Sequence, residues 1–493
     1  MSRRAICILF AIIACALAAG GCGSSGTVTT AVSAAWPTAN GNLAGTRAAS
    51  GSSLRADNVS RLRVRWRFRL KDPPNSAGIF ASTPVIDGDT VYLEDLDSTV
   101  FALNRATGAV RWRTQFQAPN GGPNGLAVSG GRVYGATDDA AFALSAATGR
   151  TLWQHHLTSQ SQQFVDVAPV VWRGLVFIGT IGYVPLGRGT IYALDARTGA
   201  VRWSFDTIKQ PWRYPWQAGG GGIWYPVTVD ARGRLYAGNS NPTPWGGSPT
   251  RPNGAAFPGP ALYTDSLLVL DARTGRLDWY DQVTPHDVRD YDFEATPILA
   301  TVGGTPLVIG GGKGGHVIAW NRSTRKRVWD TAVGVHRNDT GPLPRRRVTV
   351  CPGLYGGVET PMAYAGDRVF VAVDDLCGWG SATGRQSVTS IDPARGRGEL
   401  VALDAATGQT LWDRHLPSSN FGCATVANNA VFTSTYAGVA YAFAARNGRP
   451  LWHAKLPAGI NGCPAVDGNL LLVGAGVVQS RSSRPAVVAF ALP

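Results

Sequence analysis

Several short stretches of this chain gather residue types that can do chemistry. Thr284 to Asp292 reads T-P-H-D-V-R-D-Y-D, which puts His286 and four ionisable side chains of mixed sign in one segment. Such a group suits proton transfer or the holding of a cation, the competing reading being a solvated, salt-bridged loop. Gln210 to Tyr225 reads Q-P-W-R-Y-P-W-Q-A-G-G-G-G-I-W-Y. Its glycines, Gly221 and Gly222 among them, allow close backbone approach, and Trp224 just after them can offer its face to a flat ligand. Leu235 to Trp245 is a strand ending in Asn239 and Asn241, followed by a proline-rich loop from Gly246 to Pro260. A loop of that composition cannot join a sheet and is suited to cover a site as a lid. Gly310 to Gly315 (GGGKGG) has the spacing of a dinucleotide loop, yet His316 to Trp320 alternates like a strand. No helix N-terminus follows to hold phosphate, which leaves Lys313 as a cation on a tight turn.

These stretches interrupt a repeated sentence. Ile191 to Trp203 (IYALDARTGAVRW) combines an alternating strand, a turn at Asp195 to Gly199 and a second strand carrying a tryptophan peg. It recurs ending at Trp112, Trp153, Trp279, Trp329, Trp412 and Trp452, while Trp66 has the peg without the preceding turn. Successive pegs from Trp66 lie 46, 41, 50, 76, 50, 83 and 40 residues apart. A period of about 40 to 50 residues with some four short strands each marks a β-propeller. The pattern predicts an all-β, eight-bladed β-propeller of four-stranded antiparallel blades. Val487 to Leu492 has the strand without the peg, so the N-terminal strand is expected to join the C-terminal blade and close the ring. Because single blades cannot bury their own faces, residues 51–493 are expected to form one propeller.

The start of the chain reads as a processing signal. Arg3 and Arg4 precede an apolar run from Ala5 to Ala19, and Ala19-Gly20-Gly21-Cys22 resembles a lipoprotein cleavage site, with an ordinary secretory signal as the alternative. This makes 1–22 a signal peptide, Cys22 the lipidated residue and 23–50 a flexible tether. The chain is expected to be exported and anchored by lipid to the cell envelope, on a periplasmic or extracellular face. In such a compartment Cys351, Cys377, Cys423 and Cys463 can form disulfides. Three connectivities are open; Cys423 and Cys463 occupy matching places in adjacent repeats, which favours that pair together with Cys351 and Cys377. The net charge of +14 comes mostly from scattered arginines, with a cluster at Arg345 to Arg347. No helix or basic stripe points to nucleic acid.

On these residues the chain resembles the quinoprotein alcohol dehydrogenases, eight-bladed propellers that use pyrroloquinoline quinone (PQQ). The repeat covers nearly the whole chain after the leader, and the specific match runs from Gly219 to Lys313. The resemblance implies that Gly219 to Trp224 is the glycine run ending in the tryptophan that stacks on the quinone, with Gly221, Gly222, Trp224 and Lys313 binding the cofactor. It implies metal ligands Asn241 and Asp290, with Asp292 as the added carboxylate of lanthanide-using members, so that calcium or a lanthanide would accompany PQQ. Asp290 would be the general base and Lys313 the stabiliser of the developing oxyanion. Gly356-Gly357 with Pro361 resembles a late glycine motif. A small-molecule alcohol would be the substrate, and since C-x-x-C-H is absent, electrons would pass to a separate carrier.

The chain also departs from that pattern. The family's metal-binding glutamate falls near Val184, with no carboxylate between Gly179 and Gly189, and the adjacent cysteine pair over the quinone is missing. Asn124 stands near the place of an expected arginine, and Arg289 stands in place of a tryptophan. The alternative is therefore a non-enzymatic propeller lipoprotein acting as an envelope scaffold or binding protein.

Overall fold

Each repeat folds the same way for reasons visible in its residues. In Asp195 to Gly199 the Asp195 carboxylate accepts from the backbone N–H of Arg197 and Thr198 and from the Thr198 hydroxyl, at 2.9–3.0 Å. Gly199 then takes φ of +75°, a left-handed conformation that favours glycine. The glycine serves a second end, because the ring of Trp153 from the neighbouring blade lies flat upon it. A Cβ there would stand 2.6 Å from that ring.

The computed structural model describes residues 36–71, 78–160, 162–182, 187–209, 219–254, 259–389 and 391–493. The expected signal peptide with Cys22, and Val184, lie outside the described residues. Eight four-stranded antiparallel sheets form the eight blades of a propeller. Written by their innermost strands, blades 1 to 8 begin at Val85–Asp87, Ala127–Ser129, Val170–Trp172, Thr228–Val229, Ile298–Val302, Ala363–Ala365, Thr425–Ala427 and Ala465–Asp467. The fourth strand of blade 8 is the N-terminal strand Arg63–Arg69, paired with Ala486–Ala491. This is the expected closure. Its register sets Arg63 opposite Ala491 and Arg69 opposite Ala486.

The pegs tie blade to blade. The indole N–H groups of Trp66, Trp112, Trp153, Trp203, Trp329 and Trp412 donate to Arg105, Ala146, Ala196, Ala272, Ala405 and Ala445, each a turn carbonyl of the next blade, at 2.9–3.1 Å. Trp279 departs from this pattern: its N–H finds no acceptor. The turn facing it carries Arg325, at φ +63°, where the other turns have glycine.

The expected tether ends earlier than residue 50. Trp36 to Ser53 packs on the innermost strands, exchanging backbone hydrogen bonds with Ile86, Val128, Val229, Leu299, Tyr364, Val426 and Gly468 of seven blades. Arg47 is its fully buried anchor. All five guanidinium N–H donors are used, on Ala39, Ala424 and Pro464 carbonyls, Asn40 Oδ1 and Thr425 Oγ1. With no carboxylate beside it, burial pushes Arg47 down to about 9. Trp36 lies under the guanidinium at 5.6 Å. This strap forms the floor of the channel on the propeller axis, where Ala39 and Asn40 meet Tyr225, Phe421 and Asn461 around a space of about 20 Å³.

The cysteines are joined Cys351 to Cys377 and Cys423 to Cys463. The first bond secures the loop before blade 6, and the second links the entrances of blades 7 and 8.

Candidate active site

Asp290 to Glu294 crosses the chamber wall, held at Phe293 by a bridge to Asn239, and its side chains divide between two surroundings. Tyr291 and Phe293 turn to one side, where the Tyr291 hydroxyl donates to the Pro352 carbonyl at 2.9 Å and Phe293 meets Trp320 edge to face at 5.7 Å. Asp290, Asp292 and Glu294 all act on Lys313 instead. The segment is set by Asp287, whose buried carboxylate accepts from the N–H groups of Arg289 and Tyr291 at 2.7 and 2.6 Å. Asp290 has φ of +68°, a conformation that non-glycine residues adopt at a cost.

Lys313 stands on the turn Gly312 to Gly315, between the second and third strands of blade 5. Its ammonium lies 2.9 Å from Asp290 Oδ2 and 2.6 Å from Asp292 Oδ2. Asn241 closes the group: its side-chain amide donates to Asp290 Oδ1 at 2.6 Å and its backbone N–H to Asp292 Oδ1 at 2.7 Å. All four carboxylate oxygens are thus engaged. Burial raises Asp290 to about 7, with Lys313 holding it back and Asp292 pushing it further up. Burial would lower Lys313, but Asp290 and Asp292, with Glu359 and Glu294 beyond them, hold it well above the usual lysine range.

Trp224 and Lys313 line a common cavity of about 190 Å³ with Tyr225, Glu294, Tyr355 and Glu359. Its lining residues precede the innermost strands of several blades, which places it on the axis above the strap. Gly221 and Gly222 are buried against protein instead: a Cβ would collide with Thr207 Oγ1 at the first and with Ile181 at the second. Their role is to let Gly219–Gly220 pair with Pro242–Thr243, which brings Asn241 to the aspartates. The lid is tied down, since Asn253 exchanges hydrogen bonds with Leu343 and its carbonyl meets His286 Nε2 at 2.8 Å.

Three buried carboxylates were not foreseen from sequence. Glu294 and Glu359 enter the axial cavity, and Asp265 sits fully buried with neither oxygen hydrogen-bonded. Burial raises all three, Glu359 to about 7, and Asp287, Asp292 and Asp290 add to the effect on Asp265. A second group, Asp375, Glu399 and His415 of blade 6, brings its ligand atoms within 4.8 Å of one another.

Fold and site together define a class: a β-propeller with a buried, acidic axial chamber. Residues 56–243 match the family model described as outer membrane protein assembly factor BamB. Residues 158–334 match that of the glucose/ethanol/alcohol dehydrogenase β-propeller domain. The quinohemoprotein alcohol dehydrogenase of Comamonas testosteroni is 28% identical over 484 residues, covering 83% of this chain and 67% of that protein. Quinohemoprotein alcohol dehydrogenase ADH IIB of Pseudomonas putida is 27% identical, covering 79% of this chain and 65% of that protein. The crystal structure of the Comamonas testosteroni enzyme superposes with a TM-score of 0.80 at 25% identity, over 93% of this chain and 80% of that one. The chain belongs to the PQQ-like β-propeller family.

The axial residues fit a hard cation. Four carboxylates, Asp290, Asp292, Glu294 and Glu359, act on one ammonium, and Glu359 Oε1 is buried without a hydrogen-bond partner. Among the described residues Lys313 is the cationic side chain lining the cavity. A flat, anionic quinone fits beside Trp224 when such a cation accompanies it and offsets the carboxylates.

Proposed function

We propose that this protein is an exported quinoprotein that oxidises an alcohol, using PQQ together with calcium or a lanthanide ion in the axial chamber. The observation that carries this reading is the buried Asp290–Lys313 pair at 2.9 Å, whose Lys313 lines the same chamber as Trp224. The relatives' activities supply the chemical class.

In this reading the bound quinone supplies a two-electron acceptor for hydride from the alcohol carbon. Asp290 takes the hydroxyl proton, and its raised proton affinity matches that task near neutral pH. Lys313 keeps the carboxylate aimed and offers a charge-assisted hydrogen bond to the oxygen that becomes negative. Asn241 and Asp292 hold the pair in place, while the indole of Trp224 gives a flat surface at the cavity wall. Tyr355 and Phe421 stand at the chamber wall. Electrons then pass to a separate carrier, and a lipid on Cys22 holds the protein to the envelope.

The reading is tested on metal-free protein titrated with PQQ and with calcium or a lanthanide, followed by absorbance and by dye-linked alcohol oxidation. Stoichiometric binding with turnover is expected. Failure to bind PQQ with either cation would favour the scaffold or binding-protein alternative.

A further inference from the structure

We infer that Glu294 and Glu359 are the carboxylates that hold the cation in the axial chamber, doing there what no residue between Gly179 and Gly189 can do. This rests on the quinone–cation reading above and assigns its ligands.

Their placement is built into the backbone. Glu294 follows Asp290 and Asp292 in one segment that is tied to blade 5 by two backbone hydrogen bonds, from the Lys313 N–H to the Asp292 carbonyl at 2.9 Å and from the Ala295 N–H to the Gly311 carbonyl at 3.2 Å. Glu359 is delivered by Gly357 and Val358. The Val358 N–H donates to the Gly312 carbonyl at 3.1 Å, and Gly357 exchanges two 2.9 Å backbone hydrogen bonds with Asp374. Gly357, at φ +80°, lies against the Lys313 carbonyl so closely that no Cβ could be accommodated. Two separate loops are therefore pinned to the Lys313 turn, one on each side, and each brings a carboxylate.

Lys313 cannot satisfy both new carboxylates. Its ammonium makes contacts at 2.9 and 2.6 Å to Asp290 and Asp292, leaving Glu294 and Glu359 to hydrogen-bond one another. Glu359 is 8% exposed, Glu294 is 3% exposed, both line the chamber, and Glu359 Oε1 has no hydrogen-bond partner. Two carboxylates so placed must share either a proton or a cation. Their hard oxygen donors, with the Tyr225 and Tyr355 rings at the same wall, suit calcium or a trivalent lanthanide. Asp290 stays outside this ligand pair, because Asn241 and Lys313 already engage both of its oxygens.

The test uses the metal-free full chain and Tb³⁺ alone, read by emission sensitised through the chamber's aromatic side chains, with Ca²⁺ as competitor. The wild type is expected to bind a single Tb³⁺ that Ca²⁺ displaces. Glu294→Gln and Glu359→Gln should each weaken binding by roughly 10–100-fold, while Glu359→Asp retains part of it. Circular dichroism and thermal unfolding verify that each variant folds; should either Gln variant fail, Glu359→Asp against wild type still reports on the site. Unchanged Tb³⁺ affinity in the folded Gln variants, or no Tb³⁺ bound by the wild type, overturns the assignment. PQQ binding followed separately by absorbance distinguishes the two levels. Quinone binding and turnover with glutamate-independent Tb³⁺ affinity would sink this inference alone. Glutamate-dependent Tb³⁺ binding without any quinone binding would sink the quinone reading and leave the cation site standing.

Discussion

The ammonium of Lys313 lies between Asp290 and Asp292, 2.9 Å from one carboxylate and 2.6 Å from the other, with its side chain about nine-tenths buried. Removing it leaves the carboxylates of the chamber facing each other without a fixed counter-charge. Lys313→Met should therefore cost about 3–5 kcal/mol in urea unfolding at neutral pH. Much of that loss should return below pH 5, where the carboxyls can take up protons. An equal cost at both pH values would show that Lys313 acts through packing instead.

Asp290→Asn keeps the shape of the side chain and its bond with Asn241 within reach, but removes the proton acceptor. Turnover in the dye-linked assay should fall by a factor of about 100 to 10,000 with the unfolding midpoint little changed. Full activity in that variant would take the base assignment away from Asp290.

Burial raises Glu359 and Asp166 to about 7, and raises Glu399 to about 8, well above their values in an unfolded chain. Between about pH 4 and pH 8 the native state thus holds protons that the unfolded state has released. Stability contributed by these groups is complete at the acid end and is lost as pH rises through 7 to 8. Metal-free protein should melt several degrees higher at pH 5 than at pH 8 in a calorimetric scan. A flat or inverted profile would refute this.

Arg47 holds the strap through five hydrogen bonds to buried acceptors. Arg47→Leu leaves the Ala39 and Ala424 carbonyls without that donor, and each orphaned acceptor costs about 1–3 kcal/mol. Limited proteolysis should then cut between Trp36 and Ser53, a region resistant in the wild type. Unchanged resistance would assign the anchoring to the backbone hydrogen bonds of the strap.

Gly199 carries the ring of Trp153 at φ +75°. Gly199→Ala meets both the indole and the conformational penalty, and should destabilise by about 1–3 kcal/mol in denaturant titration. A neutral effect would mean that the blade joint can slide, as the unpartnered indole of Trp279 opposite Arg325 already suggests.

The propeller was readable because most repeats spell out their own hardware: a carboxylate or amide to cap the turn, as at Asn104, Asp195, Asp271 and Asp404, a glycine to take the ring, a tryptophan to supply it. Asp290, Asp292, Asn241 and Lys313 were readable because they sit in or beside unusual local sequence. Glu294 and Glu359 were not, since their neighbourhood is made by loops 65 residues apart in sequence. The signal available was the alternation Asp290, Asp292, Glu294, which continues one step past the segment that first draws attention. The strap was missed for a different reason. Its small, polar composition reads as a tether, and only Trp36 hints at burial, because what holds it is backbone hydrogen bonding that any residue can make. Gly221 and Gly222 show the converse: a glycine run marks close approach, but the partner here is the chain itself.

The strand Arg63–Arg69 pairs with Ala486–Ala491, and the strap before it touches the innermost strands of seven blades. The strap can meet blade 1 early, through Ile86, but Arg63–Arg69 has no partner strand until Ala486–Ala491 exists. Arg63–Arg69 must wait, unpaired, for a partner more than 400 residues further along the chain. Ring closure would then be the final, slow event of folding. A truncated or stalled chain would present an open sheet edge to its surroundings, which makes completeness of synthesis itself a condition of solubility.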